Sequence, residues 1–191
     1  MNLLLLTISA IFVNNILLAQ YLGNCPFCGV SKKLGTATGM GAAVIFVATL
    51  ASIFTWLAYH YVLVPQGLEY LKTLVFILII AALVQFVEIF LKKQSKGLYD
   101  ALGIYLPLIT TNCAVMGIAL LNIKHEFSFI ETLVYSAASA AGFALAIILF
   151  AGIRERMFIA PVPIPMRGTA IALVTAGIMS LAFLAFAGMV G

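Results

Sequence analysis

Charge is scarce in this sequence. Lys and Arg number ten and Asp and Glu six among 191 residues, 8% in all, against 64% hydrophobic residues. That is too little polar surface to cover a water-soluble globule, so the chain reads as an integral membrane protein. A continuous polar block of about 60 residues is also missing, which excludes a nucleotide-binding fold or an extramembrane catalytic domain. Residues 1–191 are therefore expected to form a single membrane domain. Histidine is nearly absent: His60 and His125 fall near the ends of apolar stretches with no companion ligands. Three cysteines, two of them in apolar surroundings, cannot form a secreted disulfide framework. A basic start is lacking as well; Met1-Asn2-Leu3 opens an apolar segment that reads as a helix rather than a cleaved signal. The net charge of +4 reports membrane orientation and carries no argument for nucleic acid.

The chain has six apolar stretches, at about 3–24, 36–62, 70–91, 101–122, 129–151 and 168–190. Each is about the 20 residues that a helix needs to cross the hydrocarbon, and sustained runs with so few charges favour helices over barrel strands. Eight of the ten basic residues lie in alternate connections: Lys32 and Lys33, then Lys92, Lys93 and Lys96, then Arg154, Arg156 and Arg167. By the positive-inside rule those connections are cytoplasmic, which puts both termini outside.

Asn24-Cys25-Pro26-Phe27-Cys28-Gly29 has an echo 88 residues later in Asn112-Cys113-Ala114-Val115-Met116-Gly117. Both read Asn-Cys-x-x-x-Gly, and each belongs to the first span of a set of three. Three spans is an odd number, so a repeat of about 1–95 on about 96–191 must be inverted across the membrane. The expected fold is all-α, six transmembrane helices in two inverted three-helix repeats, with the first and fourth helices interrupted. Pro26 disfavours the helical conformation at Cys25, so the first break is expected there. Pro107 removes a helical hydrogen bond, and Thr110, Thr111 and Asn112 offer polar groups to opened backbone, so the fourth segment is expected to kink before Cys113.

Two thiols related by a repeat point to a shared site. A thiolate in hydrocarbon needs a soft cation, and zinc and iron-sulfur clusters both ordinarily take four protein ligands. Cys25 and Cys113 supply two; Cys28 is one source for the rest, and a second chain of similar design is a better one. Other polar groups weigh less. Glu88 is the one carboxylate well inside a span, but Lys92 four residues on reads as its partner near the cytoplasmic end. Asn14, Asn15 and Gln20 read as helix-to-helix bonding groups, and Ser136 to Gly142 as a close-packing surface. A secondary transporter uses the same architecture, but the poverty of intramembrane charge weakens that alternative, and a purely structural assembly role leaves the duplicated cysteine unexplained.

Four blocks carry a resemblance: Val13-Asn14-Asn15; Cys25-Pro26-Phe27 with Gly29-Val30-Ser31-Lys32-Lys33; Leu106-Pro107-Leu108-Ile109-Thr110-Thr111-Asn112-Cys113-Ala114-Val115; and Gly152-Ile153-Arg154-Glu155-Arg156. Nearly end to end the chain resembles the membrane-protein family shared by Rnf complexes and sodium-pumping NADH:quinone reductases. It is nearer the Rnf branch than the D and E subunits of the reductase, with the latter's E subunit the alternative assignment. The resemblance implies six helices in two inverted repeats in the inner membrane of a bacterium or archaeon. It also implies that Cys25 and Cys113 ligate a 2Fe-2S cluster, completed by two thiolates of the homologous Rnf E subunit, with Asn24 and Asn112 as neighbouring hydrogen-bond donors. The complex, which further contains B, C, D and G subunits, would pass electrons between ferredoxin and NAD while moving sodium ions or protons, and this chain alone would catalyse nothing. Cys28 departs from the expected apolar residue and reads as an idle packing thiol.

Overall fold

A computed structural model describes residues 3–94, 108–109, 111–159 and 168–187. Among them every regular element is helical. Helix α1 (Leu3–Ile8) continues through a π turn (Ser9–Val13), and an irregular stretch leads to the short α2 (Asn24–Val30). Helix α3 (Leu34–Ala58) runs on through a second π turn (Tyr59–Leu63) into α4 (Val64–Gln66). A 3-10 turn (Glu69–Leu71) precedes α5 (Lys72–Gln94); α6 (Cys113–Lys124), α7 (Phe129–Ile159) and α8 (Thr169–Ala187) follow.

Three stretches are long and apolar enough to cross a membrane: Leu34–Gln66, Glu69–Ile89 and Phe129–Ile159. Three apolar helices are shorter: Leu3–Val13, Cys113–Lys124 and Thr169–Ala185. Two of these short helices fall where the sequence places interrupted spans. The expected kink at Pro107 lies outside the described residues. The fifth span is longer than expected, because no breaker interrupts it before Ile159, and Arg154 and Arg156 are helical rather than in a loop.

The core is built on α3 and α7. On α3, Ala37, Met40, Gly41, Val44, Ala48, Ala51, Ser52 and Thr55 are buried, a three-and-four spacing that gathers small residues on one face. The smallness lets the backbones approach: a Cβ on Gly41 would lie 2.9 Å from Cβ of Ala144 and 3.3 Å from its Cα. Close packing of this kind is what joins helices where lipid is as apolar as the side chains. Phe76, Phe143 and Phe150 fill the space between helices, while Leu74, Leu78, Phe86 and Ile89 of α5 and Leu173, Ile178 and Leu181 of α8 stay exposed, as lipid-facing residues do.

Side-chain contacts sort the connections into two ends. At one end Glu155 of α7 accepts a hydrogen bond from the N–H of Leu34, 2.8 Å away, so Arg156 and Lys32–Lys33 share that end. At the other, Trp56 Nε1 donates to the carbonyl of Phe127 at 3.2 Å, and Trp56 stacks on His60. There α7 starts from Ser128, whose N–H and hydroxyl both donate to Glu131 at 3.1 and 3.0 Å. The end of α7 and the start of α3 thus lie together.

Candidate functional site

The first helix is interrupted at Asn14, eleven residues before the break expected at Cys25. The chain leaves the π turn at Asn14 and does not return to helix until Asn24. Pro26 stands in the first turn of α2, where backbone N–H groups have no intrahelical acceptor, so its missing N–H costs nothing and it begins a helix instead of ending one.

What holds the break open is Asn15, fully buried. Its Nδ2 donates to the carbonyls of Gly142 at 2.9 Å and Ile11 at 3.0 Å, and its Oδ1 accepts from the N–H groups of Leu17 at 3.0 Å and Leu18 at 3.3 Å. The carbonyl of Leu18 accepts from the hydroxyl of Ser180 on α8, 2.7 Å away, and that hydroxyl also lies 2.8 Å from Tyr21 Oη. Non-helical backbone at membrane depth survives only where protein satisfies it, and here α7 and α8 do so. Tyr21 and Gly23 take positive φ, 57° and 95°, to turn the chain into α2.

The second interruption lies where the sequence puts it. Leu108 and Ile109 are helical, the chain turns at Thr111, and α6 begins at Cys113 with Asn112 as its N-cap. Asn112 is buried; its Oδ1 accepts from the N–H of Ala114 at 3.0 Å, and its Nδ2 has no partner among the described residues. Asn24 is exposed, so the two asparagines are not equivalent.

The fold brings the two motifs together. A Cβ on Gly23, just before Asn24-Cys25, would lie 3.2 Å from Oδ1 of Asn112, 3.2 Å from Cβ of Ala114 and 2.8 Å from Cε2 of Phe143. The contact is reciprocal at the motif glycines. A Cβ on Gly117 would lie 2.6 Å from Cδ1 of Leu22, and one on Gly29 would lie 4.0 Å from Cδ1 of Leu108. Each motif glycine therefore faces the leucine that leads into the other motif.

Cys25, second residue of α2, and Cys113, first of α6, are both exposed. Cys28 is partly buried and packs against the main core. Among the described residues no three His, Cys, Asp or Glu side chains gather as a metal site. Two exposed thiols fit half of a four-ligand set, and the described residues do not complete it.

Sequence reasoning did not anticipate Arg154. Placed in α7 and only 8% exposed, it donates from Nη1 to the carbonyl of Cys28 at 2.8 Å and to Ser31 Oγ at 2.9 Å. The hydrophobic run before it and the absence of a breaker after it were the available signals that it belonged to a buried helix.

Residues 3–190 match the family model described as Rnf-Nqr subunit, membrane protein. The chain belongs to the Rnf-Nqr membrane-protein family. It is 57% identical over 187 residues to the A subunit of an ion-translocating oxidoreductase complex of Yersinia enterocolitica, covering 98% of this chain and 97% of that one. It is 58% identical over 189 residues to the A subunit of the Na(+)-translocating ferredoxin:NAD(+) oxidoreductase complex of Acetobacterium woodii, covering 99% and 98%. The similar A subunit of Pseudoalteromonas atlantica matches at 57% over 187 residues, covering 98% of this chain and 97% of that one. The family match spans both Asn-Cys segments.

Proposed function

We propose that this chain is a membrane component of an Rnf-type ion-translocating ferredoxin:NAD oxidoreductase, without activity of its own, and that Cys25 and Cys113 hold half of an intramembrane 2Fe-2S cluster. The observation that carries the reading is the pairing of two exposed thiols, each in the first turn of a helix that follows a chain break, on segments whose flanks touch at Gly23 and Asn112. Similarity over nearly the whole chain, at 57–58% identity, to A subunits of ion-translocating oxidoreductase complexes, one of them a ferredoxin:NAD(+) oxidoreductase, supports the assignment to such a complex.

Such a cluster supplies a one-electron relay between carriers on opposite faces. This chain's residues do the holding. The thiolates of Cys25 and Cys113 would hold iron, and two more would come from the homologous E subunit. The N-cap bond of Asn112 fixes the first turn of α6 beneath Cys113. Gly23 admits the close approach that a side chain would prevent. The B, C, D and G subunits are the proposed neighbours on either side of the relay.

The finer topology belongs to the same proposal: one membrane domain, two inverted three-helix repeats of about 1–95 and 96–191, and both termini outside the inner membrane. The reciprocal packing of Gly29 on Leu108 and Gly117 on Leu22 supports the repeat, and the shared end of Lys32, Lys33 and Arg156 supports the orientation.

Co-purification with the homologous partner, followed by iron and acid-labile sulfide analysis, tests the reading. About two of each per pair is expected for one 2Fe-2S cluster. An intact pair free of iron would sink it.

A further inference from the structure

Helix α2 is seven residues long, too short to hold itself in place, yet it carries Cys25. Two contacts fasten it to α7. The ring of Phe27 stacks on Phe150 with centroids 4.0 Å apart, and one turn further along α7 Arg154 donates to the carbonyl of Cys28 and to Ser31 Oγ. The Cys28 carbonyl is among the last four of α2 and has no intrahelical donor, so the guanidinium satisfies a group the helix leaves open and meets the negative end of its dipole. Ser31 is fully buried and Arg154 nearly so, which makes this an internal anchor rather than a surface contact. Pro26, Phe27 and Val30 are buried beside it, while Cys25 is exposed.

We infer that Arg154 is a positioning residue for Cys25: by clamping the C-terminal end of α2 to α7 it fixes the half-helix that presents the thiol. Its neighbour Glu155 acts on the next element, accepting from the N–H of Leu34 at the start of α3. Adjacent residues of α7 thus hold the end of one helix and the beginning of the next. The inference rests on the electron-relay reading only for what Cys25 does; the clamp stands on its own contacts.

The test uses the purified complex carrying Arg154→Lys, Arg154→Gln, Ser31→Ala or Glu155→Gln, with amide hydrogen exchange of residues 24–31 and EPR of the reduced cluster as readouts. Arg154→Gln is expected to speed exchange in 24–31 by about tenfold, leaving the middle of α3 unchanged. It is also expected to shift or broaden the EPR signal, and Arg154→Lys, which keeps a cationic donor, to restore most of both. Exchange in 24–31 and EPR unchanged by Arg154→Gln would overturn the inference, as would equal acceleration there by Glu155→Gln, which would show general fraying of this end. Should Arg154→Gln fail to assemble, Ser31→Ala decides: faster exchange in 24–31 supports the clamp, and wild-type exchange overturns it. A wild-type complex without the cluster would defeat the electron-relay reading and leave the exchange result to judge Arg154.

Discussion

Gly23 and Asn112 meet at the starts of α2 and α6, with a Cβ on Gly23 falling 3.2 Å from the amide oxygen of Asn112. That oxygen caps α6, and Gly23 is the N-cap of α2, so the starts of both cysteine-bearing helices are fixed by one contact. Gly23 also holds φ at 95°, a conformation that side chains rarely adopt.

Gly23→Ala therefore combines left-handed strain of about 1–2 kcal/mol with a clash against Phe143 and Ala114. It is expected to lower the yield of assembled complex and its iron content. Gly29→Ala, with nothing closer than Leu108 at 4.0 Å, is the matched control and is expected to keep both near wild type. Metal analysis of the two purified variants checks the difference.

Asn15→Leu removes four hydrogen bonds at once and strands the N–H groups of Leu17 and Leu18 in the core. Each orphaned buried group costs about 1–3 kcal/mol, so a drop in melting temperature of the detergent-solubilised complex is expected. Asn14→Leu, at an exposed position, is expected to have a smaller effect.

Asn112→Ala deletes the N-cap of α6, a loss of about 0.5–2 kcal/mol. Asn112→Asp keeps an acceptor for the Ala114 N–H and is expected to recover that stability. The Asp variant also removes the Nδ2 donor and adds negative charge beside Cys113, so the reduction potential of the proposed cluster is expected to fall. Thermal melts and a redox titration separate the two effects.

Cys28→Ser is expected to retain the proposed cluster, since Cys28 packs against the core while Cys25 and Cys113 are exposed. Iron content equal to wild type is the expected result, and iron lost in this variant would make Cys28 a ligand.

The sequence carries the all-α, multi-helix character because apolar runs record membrane thickness directly. The break before Cys113 was legible from Thr111 and Asn112, whose side chains favour caps over helix interiors. The break in the first span was legible as an event but not in place. Pro26 is a strong local signal that means opposite things inside a helix and in its first turn, and only the buried partners of Asn15 on α7 decide which applies. The small-residue face of α7 reads correctly as a packing surface: a Cβ on Gly142 would lie 3.0 Å from the carbonyl of Ile11. Arg154 was illegible for a similar reason, since a basic residue near the end of a span marks the cytoplasmic side whether it is solvated or buried against a neighbouring helix.

Low-temperature EPR of the dithionite-reduced complex between this chain and its homologous partner, comparing wild type with Cys25→Ser and Cys113→Ser, tests the central claim most directly. A reduced 2Fe-2S signal in wild type that disappears in both variants, with assembly intact, is the predicted result. A wild-type signal that survives either substitution with unchanged iron content would contradict a cluster held by both thiols.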